Sequence, residues 1–454
     1  MSSQGGPKKS KSTTNLMKKF VQKFTKKKRT KGPPSNQTSR EKSSESHSKG
    51  KRVQRSTSKS KLSVQANKND VCEVTAKERE RPEKKEKKVE KKASTKKEEK
   101  SRDLEKSQKS LKIVPLRSAE SQMVISQAIS QKVEKAAKLW MEAMEKCGGD
   151  VKRCLENDYK PIDNHKVEED KCSVFLKNLD LCQSDNLELL DANRVKIPDG
   201  DVFYHGSVIT IPYIGPKVIL AQLPLRESPS SMEAFWLMVA ALKIQRVYVL
   251  LGPDELDKKA MNDYFPDDFV EHKTIRVNNR KTALKNDEQM NDQLYYEVVP
   301  KECAEAPFAM MEICDFWPDA KIPTQTTRPV ATVGSVFESD IDADATIGVV
   351  SHFGAGRAGA FLVASVAIER MRCGEPPNIR DIAMSVRTQR PGAVETFSQY
   401  VFVHVLALSY TLKHIGHGGG LKGKIEKLIG QLEQLAFEKL AEETEDSVAS
   451  TTVE

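Results

Sequence analysis

The chain has 454 residues, with 74 Lys and Arg against 64 Asp and Glu and a formal net charge of +10. The charge is unevenly placed: residues 1–100 hold 32 basic and 11 acidic residues, the remainder 42 and 53. No apolar run of about 20 residues, secretory leader, internal repeat, Gly-Lys-Ser loop or Cys-x-x-Cys pair occurs, which excludes a helical membrane span, a P-loop nucleotide site and a paired-cysteine metal site.

Residues 1–117 read as a disordered tail. Long Lys, Ser and Glu runs, with Phe20 and Phe24 as the only aromatic residues of the first hundred, offer too little apolar surface to offset chain entropy. One segment, residues 15–31, differs. Leu16, Met17, Phe20, Val21 and Phe24 share a helical face, flanked by Lys18, Lys19, Lys23, Lys26, Lys27, Lys28, Arg29 and Lys31, with Thr14 or Asn15 as cap. Such a basic amphipathic helix is expected on an anionic membrane surface or in the groove of a partner that binds the tail. Nuclear import or phosphodiester binding is the alternative, and the lack of interleaved aromatic residues argues against a dedicated nucleic-acid domain. The expected location is cytoplasmic, peripheral to membrane or cell cortex, with the nucleus as the alternative. The eight cysteines are expected as reduced thiols.

One α/β domain is predicted over residues 118–416. Its leading helix shows apolar residues at three- and four-residue spacing, Ile125, Ile129, Val133, Ala136, Ala137, Trp140 and Met144, and stops at Gly148-Gly149. The blocks that follow are 193–197, 203–207, Gln222-Leu223-Pro224-Leu225 and Phe235-Trp236-Leu237-Met238-Val239, then a strand at 247–251. Lys258-Lys259 precede Tyr264-Phe265-Pro266, and the apolar run 310–314 leads into Phe316-Trp317-Pro318-Asp319.

The most informative stretch is Val349-Val350-Ser351-His352-Phe353-Gly354-Ala355-Gly356-Arg357-Ala358-Gly359, a strand running into a glycine-rich turn and then a helix. Glycines let backbone N–H groups approach an anion, the helix N-terminus adds its dipole, and a guanidinium offers bidentate donors. Ser351, His352, Phe353, Gly354, Ala355, Gly356 and Arg357 are therefore the candidate phosphate-binding residues. Further on, residues 386–396 lead into Gln399-Tyr400-Val401-Phe402. A glycine linker at 417–420 precedes Leu421, Ile425, Leu428, Leu432 and Leu435, a short amphipathic helix expected to dock on the domain, with self-association as the alternative. The acidic tail 442–454 is expected to fray.

These blocks, in this order over residues 177–416, resemble the protein tyrosine phosphatases, a resemblance that makes 193–197 and 203–207 two strands and 386–402 the late helix pair with its glutamine loop. In that family a His-Cys pair, a small Gly-rich loop, an Arg, a hydroxyl residue and a Gly follow one another. Register on Arg357 puts Ser351 where the catalytic Cys belongs, Val350 at the His and Ala358 at the hydroxyl. Asp319 takes the place of the general acid, Glu395 that of the water-positioning Gln, and Gln399 that of the second Gln. The resemblance implies an α/β fold with a twisted mixed sheet flanked by helices, no cofactor and no metal. A Cys thiol near pKa 8.5 can be tuned to a thiolate nucleophile, whereas a Ser hydroxyl has no such accessible anion. What is implied is a catalytically inactive domain, with Ser351, Asp319, Glu395 and Gln399 at degenerate or unused catalytic positions and the anion cradle retained.

The family's ring-gripping Lys-Asn-Arg-Tyr loop matches Lys177-Asn178-Leu179-Asp180 or, less closely, Ala192-Asn193-Arg194-Val195, and neither supplies the stacking Tyr. Similar degenerate domains are abundant in nematodes, and some look like scaffolds or inhibitors that engage phosphorylated kinases. The resemblance thus implies a phosphotyrosine protein, a kinase among the candidates, as partner in signalling. Other readings stay open at this level. Asp319 also suits a structural turn, Arg357 can pair with Glu395 or another carboxylate instead of a ligand, and His352 and Phe353 either block the cradle or face away. A slow phosphatase using Ser351 and a structural anchor with a vestigial pocket are the competing functions.

The tail reading is tested with a labelled fragment of residues 1–50 and liposomes. Pelleting is expected to require anionic lipid and to be lost when Phe20 and Phe24 are both changed to Ser; pelleting that survives the double change would mean polybasic adhesion without an inserted helix.

Overall fold

In the computed structural model the described residues run from 119 to 451, apart from 147, 199–201, 213, 254, 281–290, 302–304, 339–343 and 417–419. The basic tail with its 15–31 segment, and most of the glycine linker, lie outside them.

The described chain opens with α1 (Ala119–Glu145) and α2 (Val151–Asp163). Between them Gly148 and Gly149 take φ of +72° and +85°, a left-handed turn that β-carbon-bearing residues disfavour. Asp150 then caps α2, its carboxylate accepting from Arg153 N–H. Three short 3₁₀ turns occupy the stretch from Glu169 to Leu181. There follow β1 (Gly206–Ile209), β2 (Lys217–Gln222), α3 (Pro229–Ala241), β3 (Ile244–Leu250), α4 (Lys258–Tyr264), β4 (Phe269–Glu271), β5 (Ile275–Asn279), β6 (Asp292–Pro300) and β7 (Phe308–Cys314). The remaining elements are α5 (Thr327–Ser335), β8 (Thr346–Ser351), α6 (Gly356–Arg372), α7 (Ile379–Arg387), α8 (Phe397–His414) and α9 (Gly420–Thr451).

The strands form one mixed sheet in the order β1-β2-β8-β3-β7-β6-β5-β4. The central four, β2, β8, β3 and β7, are parallel, and antiparallel strands flank them on both sides. The mixed sheet flanked by helices agrees with the expected fold class. The stretch 193–197, expected as a strand, contributes only an isolated bridge between Arg194 and Ser207, because the pairing ends after one residue.

β8 sits between β2 and β3, and every residue from Thr346 to Ser351 is buried, as the Thr-Ile-Gly-Val-Val run requires of a parallel strand covered on both faces. Alternation divides its side chains. Ile347 and Val349 join a core with α1, α2, α6, α7, α8 and α9, while Val350 joins a second core with Phe235, Trp236 and Val239 of α3. The strand that ends at Ser351 is thereby held from both faces.

The C-terminal helix docks as expected and departs from expectation only in its length. Ile425, Leu428, Ile429, Leu432, Leu435 and Ala436 are buried in the same core as Val401, Val405 and Leu408 of α8, so the helix docks. It also continues through the acidic stretch to Thr451, because Glu443 makes hydrogen bonds to the start of α8. Cys172, Cys182, Cys314 and Cys373 are free thiols, but Cys154 is disulfide-bonded, a correction to the reading of all cysteines as reduced, since spacing along the chain does not report proximity in space. Among the described residues no helix is long and apolar enough to cross a membrane.

Truncating Leu432 to Ala removes a fully buried side chain from the α8–α9 contact. The expected cost is about 2–5 kcal/mol, read as a lower urea midpoint at unchanged slope.

Candidate functional site

The stretch Ser351 to Arg357 leaves the carboxyl end of a central parallel strand and enters a helix, the position where open α/β sheets place their ligands. Gly354 has φ +65°, and a Cβ there would lie 2.1 Å from the Ala221 carbonyl carbon of β2, so only glycine lets the turn rest on the neighbouring strand. At Gly359 a Cβ would meet Ala393 at 2.7 Å, and at Gly356 it would meet the Glu395 carboxylate at 2.5 Å. The two helical glycines thus admit the loop before α8 against the cradle.

Ser351 is buried, and among the described residues its hydroxyl has one hydrogen bond, accepted from Gly354 N–H at 3.1 Å. Among the described residues it donates no hydrogen bond to an acceptor. Val350 and Ala358, at the two positions where the resemblance expects supporting polar groups, are wholly apolar core residues.

Arg357 is almost completely buried and held by several acceptors. Its Nη1 donates to Glu255 Oε2 and to the Trp317 carbonyl, both at 2.6 Å, and its Nη2 donates to Glu255 Oε1 at 2.5 Å. Its Nε has no hydrogen bond and lies 3.5 Å from Asp319 Oδ1. The carboxylate that grips Arg357 is therefore Glu255, and not Glu395. Glu255 also accepts from Gly252 N–H at 2.7 Å. Burial alone would raise its pKa, but the hydrogen bonds and charge of Arg357 outweigh burial and hold the carboxyl below its usual range.

Trp317 is fully buried, its indole donating to Lys321 O and its ring packed edge-on against Phe361 and Phe402. This anchors the turn that presents Asp319 to the guanidinium. Asp319, partly exposed, reaches the guanidinium of the cradle, whereas Lys258 and Lys259, which open α4, make no hydrogen bond or ion pair to it among the described residues.

Glu395 lies against Gly356 from the other side. Burial, then the nearby Asp319 carboxylate, raises its pKa, with Arg387 and Arg357 opposing. Gln399 is wholly buried; its Oε1 accepts from Glu395 N–H at 3.0 Å, while its Nε2, 3.4 Å from the Cβ position of Gly356, has no hydrogen-bond partner. Two donors at the cradle, Gln399 Nε2 and Arg357 Nε, are thus buried without a hydrogen bond, a state that costs about 1–3 kcal/mol per group in the absence of an acceptor.

A second buried cation supports the turn from behind. Arg390 donates to Gly354 O and Phe353 O at 2.9 Å each and to His205 Nδ1 at 3.0 Å. Burial pushes its pKa down to about 9, and burial with the adjacent Arg390 drives His205 well below its ordinary range. His205 is thus neutral, accepting at Nδ1 and donating from Nε2 to Leu187 O. His352 and Phe353 pack on each other edge to face at 4.4 Å, and His352 is the smallest of the influences that lower the Glu255 pKa.

Lys177 to Asp180 lies in 3₁₀ turns. The chain after it comes close to the cradle: Cys182 interacts with Arg390, Gln183 is bonded to Gln222, Leu223 O and Pro224 O, and Leu187 packs on Gly392. Glu255, Arg390, His205 and Gln183 were all missed from sequence. For Glu255 a signal existed: it follows Leu250 at the carboxyl end of the strand paired with β8.

Glu395→Gln removes a buried carboxylate whose ionised form is disfavoured in the fold. It is expected to raise the thermal midpoint by a few degrees at pH 7. The penalty in the parent grows as pH rises through the ordinary carboxyl range and is complete above the raised folded value, so the gain should vanish below about pH 4.

Comparison with known proteins agrees with this geometry. The family model described as protein-tyrosine phosphatase matches residues 178–409. A Caenorhabditis elegans protein named "Putative tyrosine-protein phosphatase B0280.11" is 53% identical over 98% of this chain and 100% of its own length. Human receptor-type tyrosine-protein phosphatase alpha is 24% identical over 56% of this chain and 32% of its own. Among solved structures, the Trypanosoma cruzi protein tyrosine phosphatase TcPTP1 superposes with a TM-score of 0.51 at 16% identity, covering 59% of this chain and 95% of that one.

Proposed function

The chain belongs to the protein-tyrosine phosphatase family, and we propose that it is a catalytically silent member that binds phosphotyrosine proteins as a scaffold or regulator in signalling. The observation that carries this reading is Ser351. It occupies the floor of the cradle as an unactivated hydroxyl, bonded only to Gly354 N–H among the described residues. A hydroxyl without an adjacent base is a poor nucleophile toward phosphorus.

Retention of binding is supported by what surrounds that hydroxyl. Arg357 keeps its Nε–H without a hydrogen bond while Glu255 takes both terminal nitrogens of the guanidinium. Gln399 Nε2 adds an unpaired donor, and Arg390 adds positive charge behind the turn with no carboxylate among its hydrogen-bond partners. Glu255, Asp319 and Glu395 oppose an anion, which makes the affinity modest and dependent on the charge of Glu395. The partner class is a phosphotyrosine protein, a phosphorylated kinase included, reached from a cytoplasmic site near membrane or cortex.

The full chain is expected to hydrolyse aryl phosphates no faster than a heat-denatured control. Turnover that Ser351→Ala abolishes would establish the enzyme reading instead. Calorimetric titration with a phosphotyrosine peptide is expected to show binding that weakens at least tenfold in an Arg357→Met, Glu255→Gln double variant, which strands no charge, and tightens in Glu395→Gln. Affinity unchanged in the double variant would place the partner elsewhere.

A further inference from the structure

We infer that Glu443 of the C-terminal helix and Tyr159 of the second helix are positioning residues that hold the loop bearing Glu395 and Gln399 against the anion cradle. The inference rests on the reading of the cradle as an oxyanion site.

The loop needs holding. Val394 has φ +54°, a left-handed conformation that a β-branched residue adopts only when its surroundings over-determine it, at a cost of about 1–3 kcal/mol. The next residue is Glu395, over Gly356, and four further on is Gln399, whose Oε1 accepts from Glu395 N–H. The loop and the first turn of α8 are therefore one unit, and its placement fixes both side chains at the cradle.

Two elements outside the matched family region grip this unit from either side. From α2, Tyr159 Oη donates to Glu395 O at 2.7 Å and lies 3.2 Å from Val394 O, with its ring against Phe397 and Tyr400. From α9, Glu443 Oε1 accepts from Ser398 N–H at 3.0 Å, and its Oε2 accepts from Ser398 Oγ at 2.6 Å. Thr396 caps the adjacent amide, Gln399 N–H, at 3.2 Å. The first-turn amides of α8 that a helix leaves unpaired are thus shared between a local cap and a carboxylate 45 residues downstream. A carboxylate there also meets the positive end of the helix dipole. Ser398 is wholly buried; without Glu443 its hydroxyl keeps only Thr396 Oγ1, at 2.8 Å, and its amide has no other hydrogen bond among the described residues. Arg387 bonds the Ala393 and Val394 carbonyls and acts on the charge of Glu395, but among the described residues it makes no hydrogen bond to Glu395 or to the start of α8.

The test is amide hydrogen exchange on the full chain, with parent, Glu443→Ala, Glu443→Gln and Tyr159→Phe. Glu443→Ala and Tyr159→Phe are expected to speed exchange at residues 395–399 by about tenfold or more, with the strands of the sheet unchanged and Glu443→Gln in between. Unchanged exchange at 395–399, or a rise spread evenly over the domain as simple destabilisation would give, overturns the inference. The same variants are titrated with phosphotyrosine peptide, where a three- to tenfold weaker affinity is expected. Local loosening without loss of affinity overturns the link to the cradle. If the parent binds no peptide, the functional reading fails while the exchange pattern still decides whether the two residues hold the loop.

Discussion

The site is organised by one buried guanidinium. Arg357 is 1% exposed, and its lost hydration is replaced by the two oxygens of Glu255 and the Trp317 carbonyl. A buried charge is tolerated only when such partners are present, and deleting one partner of a buried pair typically costs about 3–5 kcal/mol. The pairing therefore ties three separate pieces together: the chain after β3, the turn containing Trp317 and Asp319, and the start of α6. Those pieces make one wall of the cradle, and none holds its place without the others.

From that constraint follows the charge balance. Arg357 and Arg390 are cations in or behind the turn, and Glu255 and Asp319 are carboxylates facing the first of them. Glu395 decides the sign of the remainder, and its burial beside Asp319 favours the neutral form. A thiolate at the floor would add negative charge that the loop amides must stabilise. Ser351 adds none, so the donors remain available to an external oxyanion. Loss of the nucleophile and retention of the cradle are compatible on electrostatic grounds.

Local pattern made part of this legible. The Gly-rich run after a β-branched strand placed the cradle, and the Trp-Pro-Asp order placed Asp319, because both are contiguous motifs whose geometry is set within a few residues. Glu395 and Gln399 were legible as neighbours of the cradle for the same reason. Glu255, Arg390 and His205 were not, since each arrives from a different strand end or loop and nothing local marks it. The continuation of the last helix through Thr451 was missed because composition there suggests fraying, while the stabilising contact, Glu443 to Ser398, spans two helices.

The central claim is that the cradle binds an oxyanion without reacting with it. A crystal structure of the full chain grown with orthovanadate tests this most directly. The account predicts vanadate held by the amides of the Ser351–Arg357 loop with Arg357 Nε and Gln399 Nε2 as donors, at non-bonded distance from Ser351 Oγ. A covalent bond from vanadium to Ser351 Oγ, or no vanadate in the cradle at saturating concentration, would contradict it.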